Sequence, residues 1–108
     1  MASGKIYIKT YETEKGTMIA MCDEELLGKE FGDGKAKLDL NRYASFYKGE
    51  LQEEGKISID MESIYSANVV GERSVAIMIR TGVATEDEIK RVSGIPFLQV
   101  YRVLGAQS

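Results

Sequence analysis

The sequence contains no histidine and no tryptophan, a single cysteine (Cys22) and a single proline (Pro96). Each shortage excludes a class of chemistry. Without histidine there is no Ser-His-Asp triad, no Cys-His dyad and no imidazole metal ligand. With one cysteine there is no internal disulfide and no thiolate zinc site. No run approaches the roughly 20 consecutive apolar residues of a membrane helix. The first residues, Met1-Ala2-Ser3-Gly4-Lys5, carry no apolar signal region, so a cytoplasmic protein is expected. A net charge of −3 supplies no general attraction for nucleic acid. What is present is ordinary globular composition over 108 residues, which fits one domain, residues 1–108.

Alternation and turn residues organise the chain. Residues 5–11 place Ile6, Ile8 and Thr10 opposite Tyr7, Lys9 and Tyr11, a strand that a polar turn ending at Gly16 joins to a continuously apolar strand over 17–22. Asp23 is placed to cap a short helix carrying Leu26, Leu27 and Phe31. Gly32-Asp33-Gly34 ends that helix, and 35–40 alternates as a further strand. Residues 41–57 are irregular. Met61, Ile64, Tyr65 and Asn68 fall on one helical stripe, with Asn68 at its left-handed end. Gly71 then leads into a second helix, Glu72 to Thr81, apolar on nearly all sides and therefore expected to be buried at the centre of the fold. Gly82 stops it, Thr85 and Glu88 form a capping box, and a last strand runs from Phe97 to Leu104. The class is α+β: a mainly antiparallel sheet packed against two or three helices.

Four segments carry candidate chemistry. Cys22-Asp23-Glu24-Glu25 places three carboxylates beside the thiol, which disfavours the thiolate and reads as a strand end. Arg42-Tyr43-Ala44-Ser45-Phe46-Tyr47-Lys48 is basic and aromatic, with +2 over 35–50 against −4 over 22–34 and −3 over 51–62. Its rings either stack on unpaired bases, with Arg42 and Lys48 on phosphates, or pin a loop to the core. In Asn68-Val69-Val70-Gly71-Glu72-Arg73, the glycine opens backbone N–H groups to an anion and Arg73 adds a guanidinium. The alternative is a tight turn between helices. In Gly94-Ile95-Pro96-Phe97-Leu98-Gln99, Gln99 is the one polar residue of its strand face, either a satisfied core amide or a ligand contact.

In order and spacing, Cys22–Lys29, Phe46–Glu50, Ala67–Arg73 and Gly94–Pro96 with Gln99 resemble the archaeal family known as domain of unknown function 424, over about Lys5 to Val103. The resemblance implies a small cytoplasmic archaeal protein with a part in RNA binding or translation. Members of that family often carry histidine after Gly-x-Pro; this chain has Phe97 there, so no proton-transfer role attaches to the position. The resemblance brings no catalytic residue and no cofactor.

The expected function is a binding module for RNA or a ribonucleoprotein, through Arg42, Tyr43, Tyr47, Lys48, Gly71, Arg73 and Gln99. The alternatives are a small carboxylate- or cation-dependent enzyme using Asp23, Glu24, Glu25 or Glu72, or a protein-protein adaptor.

Overall fold

The computed structural model describes residues 4–101 except 33 and 35. Outside the described residues lie Asp33 of the expected turn, Lys35 of the expected strand and basic excess, and Val103 and Leu104 of the expected last strand.

The architecture is α+β. Among the described residues the eight strands are β1 (Lys5–Thr13), β2 (Gly16–Asp23), β3 (Glu30–Gly32), β4 (Lys37–Asp39), β5 (Glu50–Glu53), β6 (Ile64–Val70), β7 (Lys90–Val92) and β8 (Ile95–Tyr101); the helices are α1 (Ala44–Tyr47) and α2 (Glu72–Arg80). Six strands form one sheet in the order β5-β1-β2-β6-β8-β7, and β3 and β4 form a separate hairpin. All pairs in the main sheet are antiparallel except β2 with β6.

The helix expected around 60–68 is instead strand β6, which is the main correction to the sequence reading. β6 lies between β2 and β8 with five of its seven residues buried, so its apolar residues serve both faces and show no alternation. The spacing of Ile64, Tyr65 and Asn68 suits a helix, but neighbours on both edges and the β-branched Ile64, Val69 and Val70 favour a strand. Asn68 is accordingly extended rather than left-handed; among the described non-glycine residues only Ser93 has a positive φ.

Other boundaries also move. The turn after Asp23 is a single 3₁₀ turn, Glu24–Leu26, and Phe31 lies on β3. Residues 50–53, read as irregular, add an edge strand to β1. The capping-box segment is one 3₁₀ turn, Glu86–Glu88, in which Glu88 accepts from the Thr85 N–H at 2.8 Å. It leads into β7, and Ser93-Gly94 closes a two-residue hairpin into β8 with φ of 53° and 80°, the pair of positive values a tight I′ turn requires.

α2 occupies the sequence positions expected for it but is buried on one side only. Ser74, Val75, Ile77 and Met78 face the sheet, Ile79 is half-buried, and Glu72, Ala76 and Arg80 are exposed. The core beneath it joins Ile6, Ile19, Met21, Ala67, Val69, Leu98 and Val100 from the strands. A second apolar cluster on the other side of the sheet gathers Cys22, Leu26, Leu40 and Val70, with Tyr47, Phe31 and Phe97 packed against it.

Candidate functional site: the sheet side opposite α2

Residues paired across neighbouring strands share a side of the sheet. Three rows therefore cross β1, β2, β6 and β8 on the side away from α2. They are Tyr11, Met18, Ser66 and Tyr101; Lys9, Ala20, Asn68 and Gln99; and Tyr7, Cys22, Val70 and Phe97. None of these twelve side chains is acidic, in a chain with three more carboxylates than cations. At the β7 edge the third row continues into Lys90, the partner of Phe97.

α1 stands over the β1 end of this face. Phe46 stacks on Tyr11 with ring centroids 5.3 Å apart, the Tyr11 hydroxyl donates to the Phe46 carbonyl at 2.8 Å, and Lys9 Nζ donates to the Ser45 carbonyl at 3.1 Å. Gly49 lies so close to the Ile8 carbonyl that a Cβ has no room there, which seats the segment against β1. Arg42 and Tyr43 are exposed just before α1, with the guanidinium carbon 5.5 Å from the ring centroid, and Lys48 is exposed just after it. Tyr47 instead turns inward onto the Cys22 cluster. Burial, followed by the nearby Cys22, pushes its phenol up to about 12. Burial, then the charges of Asp23 and Glu25, pushes the Cys22 thiol up to about 12 as well, so it is a neutral packing group.

Gln99 is exposed in the middle row, and its Nε2 donates to Asn68 Oδ1 across the strands at 3.1 Å. It is neither a core amide nor isolated. Beyond it, Tyr101 is 72% exposed and meets Tyr65 edge-on at 6.3 Å. Arg42, Tyr43, Tyr47, Lys48 and Gln99 thus belong to one side of the sheet. Asn68, Tyr65 and Tyr101 join them; the helical reading of 60–68 conceals the first two.

Gly71 and Arg73 belong to a different constellation, at the C-terminal ends of the parallel strands β2 and β6. The buried Asp23 carboxylate accepts from the Arg73 N–H at 3.0 Å and from the Ser74 N–H and hydroxyl at 2.8 and 2.7 Å. Gly71 has φ of 112°, and a Cβ there would lie 2.6 Å from both Asp23 oxygens. Its N–H donates to the Pro96 carbonyl at 2.8 Å. An Arg in a first helical turn opposes the dipole. Here Arg73 pairs through Nη2 with Glu25, and its side chain is 19% exposed. Burial lowers the pKa of its guanidinium, but the bond to Glu25 and the charges of Asp23, Glu25 and Glu54 outweigh it and raise the pKa overall. Glu72 pairs with Arg91 at 3.3 Å. The expected role of Asp23 as cap of its own short helix is corrected: that turn has no side-chain cap, and Asp23 caps α2. The sequence signal lies in α2 itself, which starts at a glycine and so needs its cap from elsewhere.

Among the described residues no group of three or more His, Cys, Asp or Glu side chains is arranged to hold a metal ion. No described helix is long and apolar enough to cross a membrane.

A family profile described as "Protein of unknown function (DUF424)" matches residues 11–103. The chain belongs to the DUF424 family. The four segments that carry the sequence resemblance all fall within that span, and three of them, Cys22–Lys29, Ala67–Arg73 and Gly94–Pro96, meet around the start of α2. A solved structure, described as an uncharacterized conserved protein from Methanopyrus kandleri, is similar to this DUF424 chain at 25% identity, with a TM-score of 0.73 over 90% of each chain. No curated protein matches the chain.

Proposed function

We propose that this protein is a non-enzymatic RNA-binding module whose binding surface is the part of the sheet side opposite α2 that the Cys22 cluster leaves uncovered. The observation that carries the reading is the charge partition: of the twelve strand positions on that side, the eight that are not buried hold no carboxylate, although the chain as a whole is acidic. Phosphate contacts dominate nucleic-acid affinity, and a carboxylate on the surface would oppose them. Lys9 and Lys90 lie on this side, and Arg42 and Lys48 flank α1 above it. Tyr43 and Tyr101 offer exposed rings, and a single strand presents unstacked bases that rings can cover.

The test is binding of a short fluorescent single-stranded RNA across a salt series. Affinity should fall with salt. The Arg42→Ala/Lys48→Ala double variant should flatten the log–log slope by about 0.7 for each phosphate it no longer neutralises. Absence of salt-dependent binding at low ionic strength overturns the reading.

A further inference from the structure

We infer that Tyr101, with Tyr65 and the Asn68–Gln99 amide pair, forms a subsite for one unpaired nucleobase; this inference rests on the RNA reading above and specifies where a base is held. Tyr101 ends β8, and most of its ring is open to solvent. Tyr65 meets it in a T-shaped contact at an interplanar angle of 73°, and at 72% exposure Tyr101 keeps a ring face open for stacking. The two rings, with Met18, Ser66 and Lys15, line a surface cleft of about 410 Å³. Lys15 Nζ lies 5.8 Å from the Tyr65 ring centroid. Glu14 also lines the cleft, and its carboxylate favours an uncharged base there over a phosphate.

The amides give the subsite a polar edge. Gln99 stands two residues before Tyr101 on the same side of β8, about 7 Å along the strand. A flat base stacked on Tyr101 therefore reaches toward Gln99 with its edge. The bond from Gln99 Nε2 to Asn68 Oδ1 fixes the orientation of both amides. It leaves Gln99 Oε1 as an acceptor and Asn68 Nδ2 as a donor, the two complements a base edge requires. An aromatic face beside a fixed donor and acceptor is the combination with which proteins hold splayed-out bases.

The experiment compares a short single-stranded RNA with an abasic oligoribonucleotide of the same length, by fluorescence anisotropy at low salt. The wild-type protein should bind the base-bearing strand about tenfold tighter or more. Tyr101→Ala should cut that preference about fivefold or more while leaving affinity for the abasic strand unchanged, and Tyr101→Phe should retain it. Gln99→Ala should reduce it. Equal affinity of the wild-type protein for both strands overturns the subsite, as does a Tyr101→Ala variant that keeps the preference or weakens both strands in parallel; in those cases salt-dependent binding leaves the broader RNA reading standing. Failure to bind either strand overturns both.

Discussion

Asp23 and Ser74, 51 residues apart in sequence, share two hydrogen bonds: Asp23 Oδ1 accepts from the Ser74 N–H at 2.8 Å and from its hydroxyl at 2.7 Å. The carboxylate thereby satisfies donors that a helix start otherwise leaves open, and its charge meets the positive end of the α2 dipole. Gly71, in the N-cap position, has no side chain to do this, and none fits between it and Asp23. One interaction therefore ties the end of β2 to the start of α2, and fixes the helix on the sheet.

Asp23→Ala should destabilise the fold by about 2–3 kcal/mol, because it removes a cap and leaves buried donors unsatisfied. Ser74→Ala, which deletes only one of the bonds, should cost about 1 kcal/mol. Urea unfolding of the three proteins gives the comparison, and an Asp23→Ala protein as stable as wild type would show that the cap is not structural.

The sequence predicts α2 buried all round, and the structure makes it two-sided. Ile77 is fully buried while Ile79 is half-buried at the helix margin. Ile77→Ala should cost about 2–5 kcal/mol and Ile79→Ala distinctly less. Equal losses in denaturant unfolding would mean that both side chains are enclosed, contrary to this packing.

Strands with one wet face and one dry face are legible from sequence, because their period survives burial. β1 announces itself through Ile6 and Ile8 against Tyr7 and Lys9, and the start of α2 through the glycine before Glu72. β6 is not legible: with five of its seven residues buried, it loses the period of two, and Ile64, Tyr65 and Asn68 then fit a helix equally well. That single error hides much of the candidate surface, since Asn68 becomes the partner of Gln99 only when both are strand residues in register. Cap exchange is hidden for another reason: sequence shows that Asp23 can cap, not which helix it caps. The short edge strands β5 and β7 owe their form to pairing with β1 and β8, and such pairing leaves little local trace.

Alkaline pH should weaken the fold through Cys22 and Tyr47. The Cys22 thiol is held at about 12 against an ordinary value of 9.0, and the Tyr47 phenol at about 12 against 10.0. The folded protein thus keeps protons that the unfolded chain releases. Stability is fully present below about pH 9, falls as pH rises from there, and the loss is complete above about pH 12. Denaturant midpoints at about pH 8 and about pH 11 should differ, and Cys22→Ala should narrow the difference even where it lowers stability at both. An unchanged difference in both Cys22→Ala and Tyr47→Phe would place the alkaline titration elsewhere.

Arg73 and Lys48 should separate stability from binding. The Arg73 guanidinium is mostly enclosed and pairs with Glu25, whereas Lys48 is exposed beside α1. Glu25 is itself half exposed, so the pair is worth little more than a surface ion pair, about 1 kcal/mol or less by double-mutant cycle. Arg73→Ala also deletes a packed aliphatic stem, so its cost should exceed the coupling to Glu25. We expect Arg73→Ala to lower the unfolding temperature and to leave the salt dependence of RNA binding unaltered. Lys48→Ala should do the reverse, lowering the salt slope with little effect on unfolding. The physical reason is where each charge ends: the Arg73 cation is balanced within the fold by Glu25 and Asp23, while that of Lys48 faces solvent. Should Arg73→Ala instead weaken RNA binding at an unchanged unfolding temperature, the start of α2 belongs to the binding surface, and the Glu25 pair is broken when RNA binds.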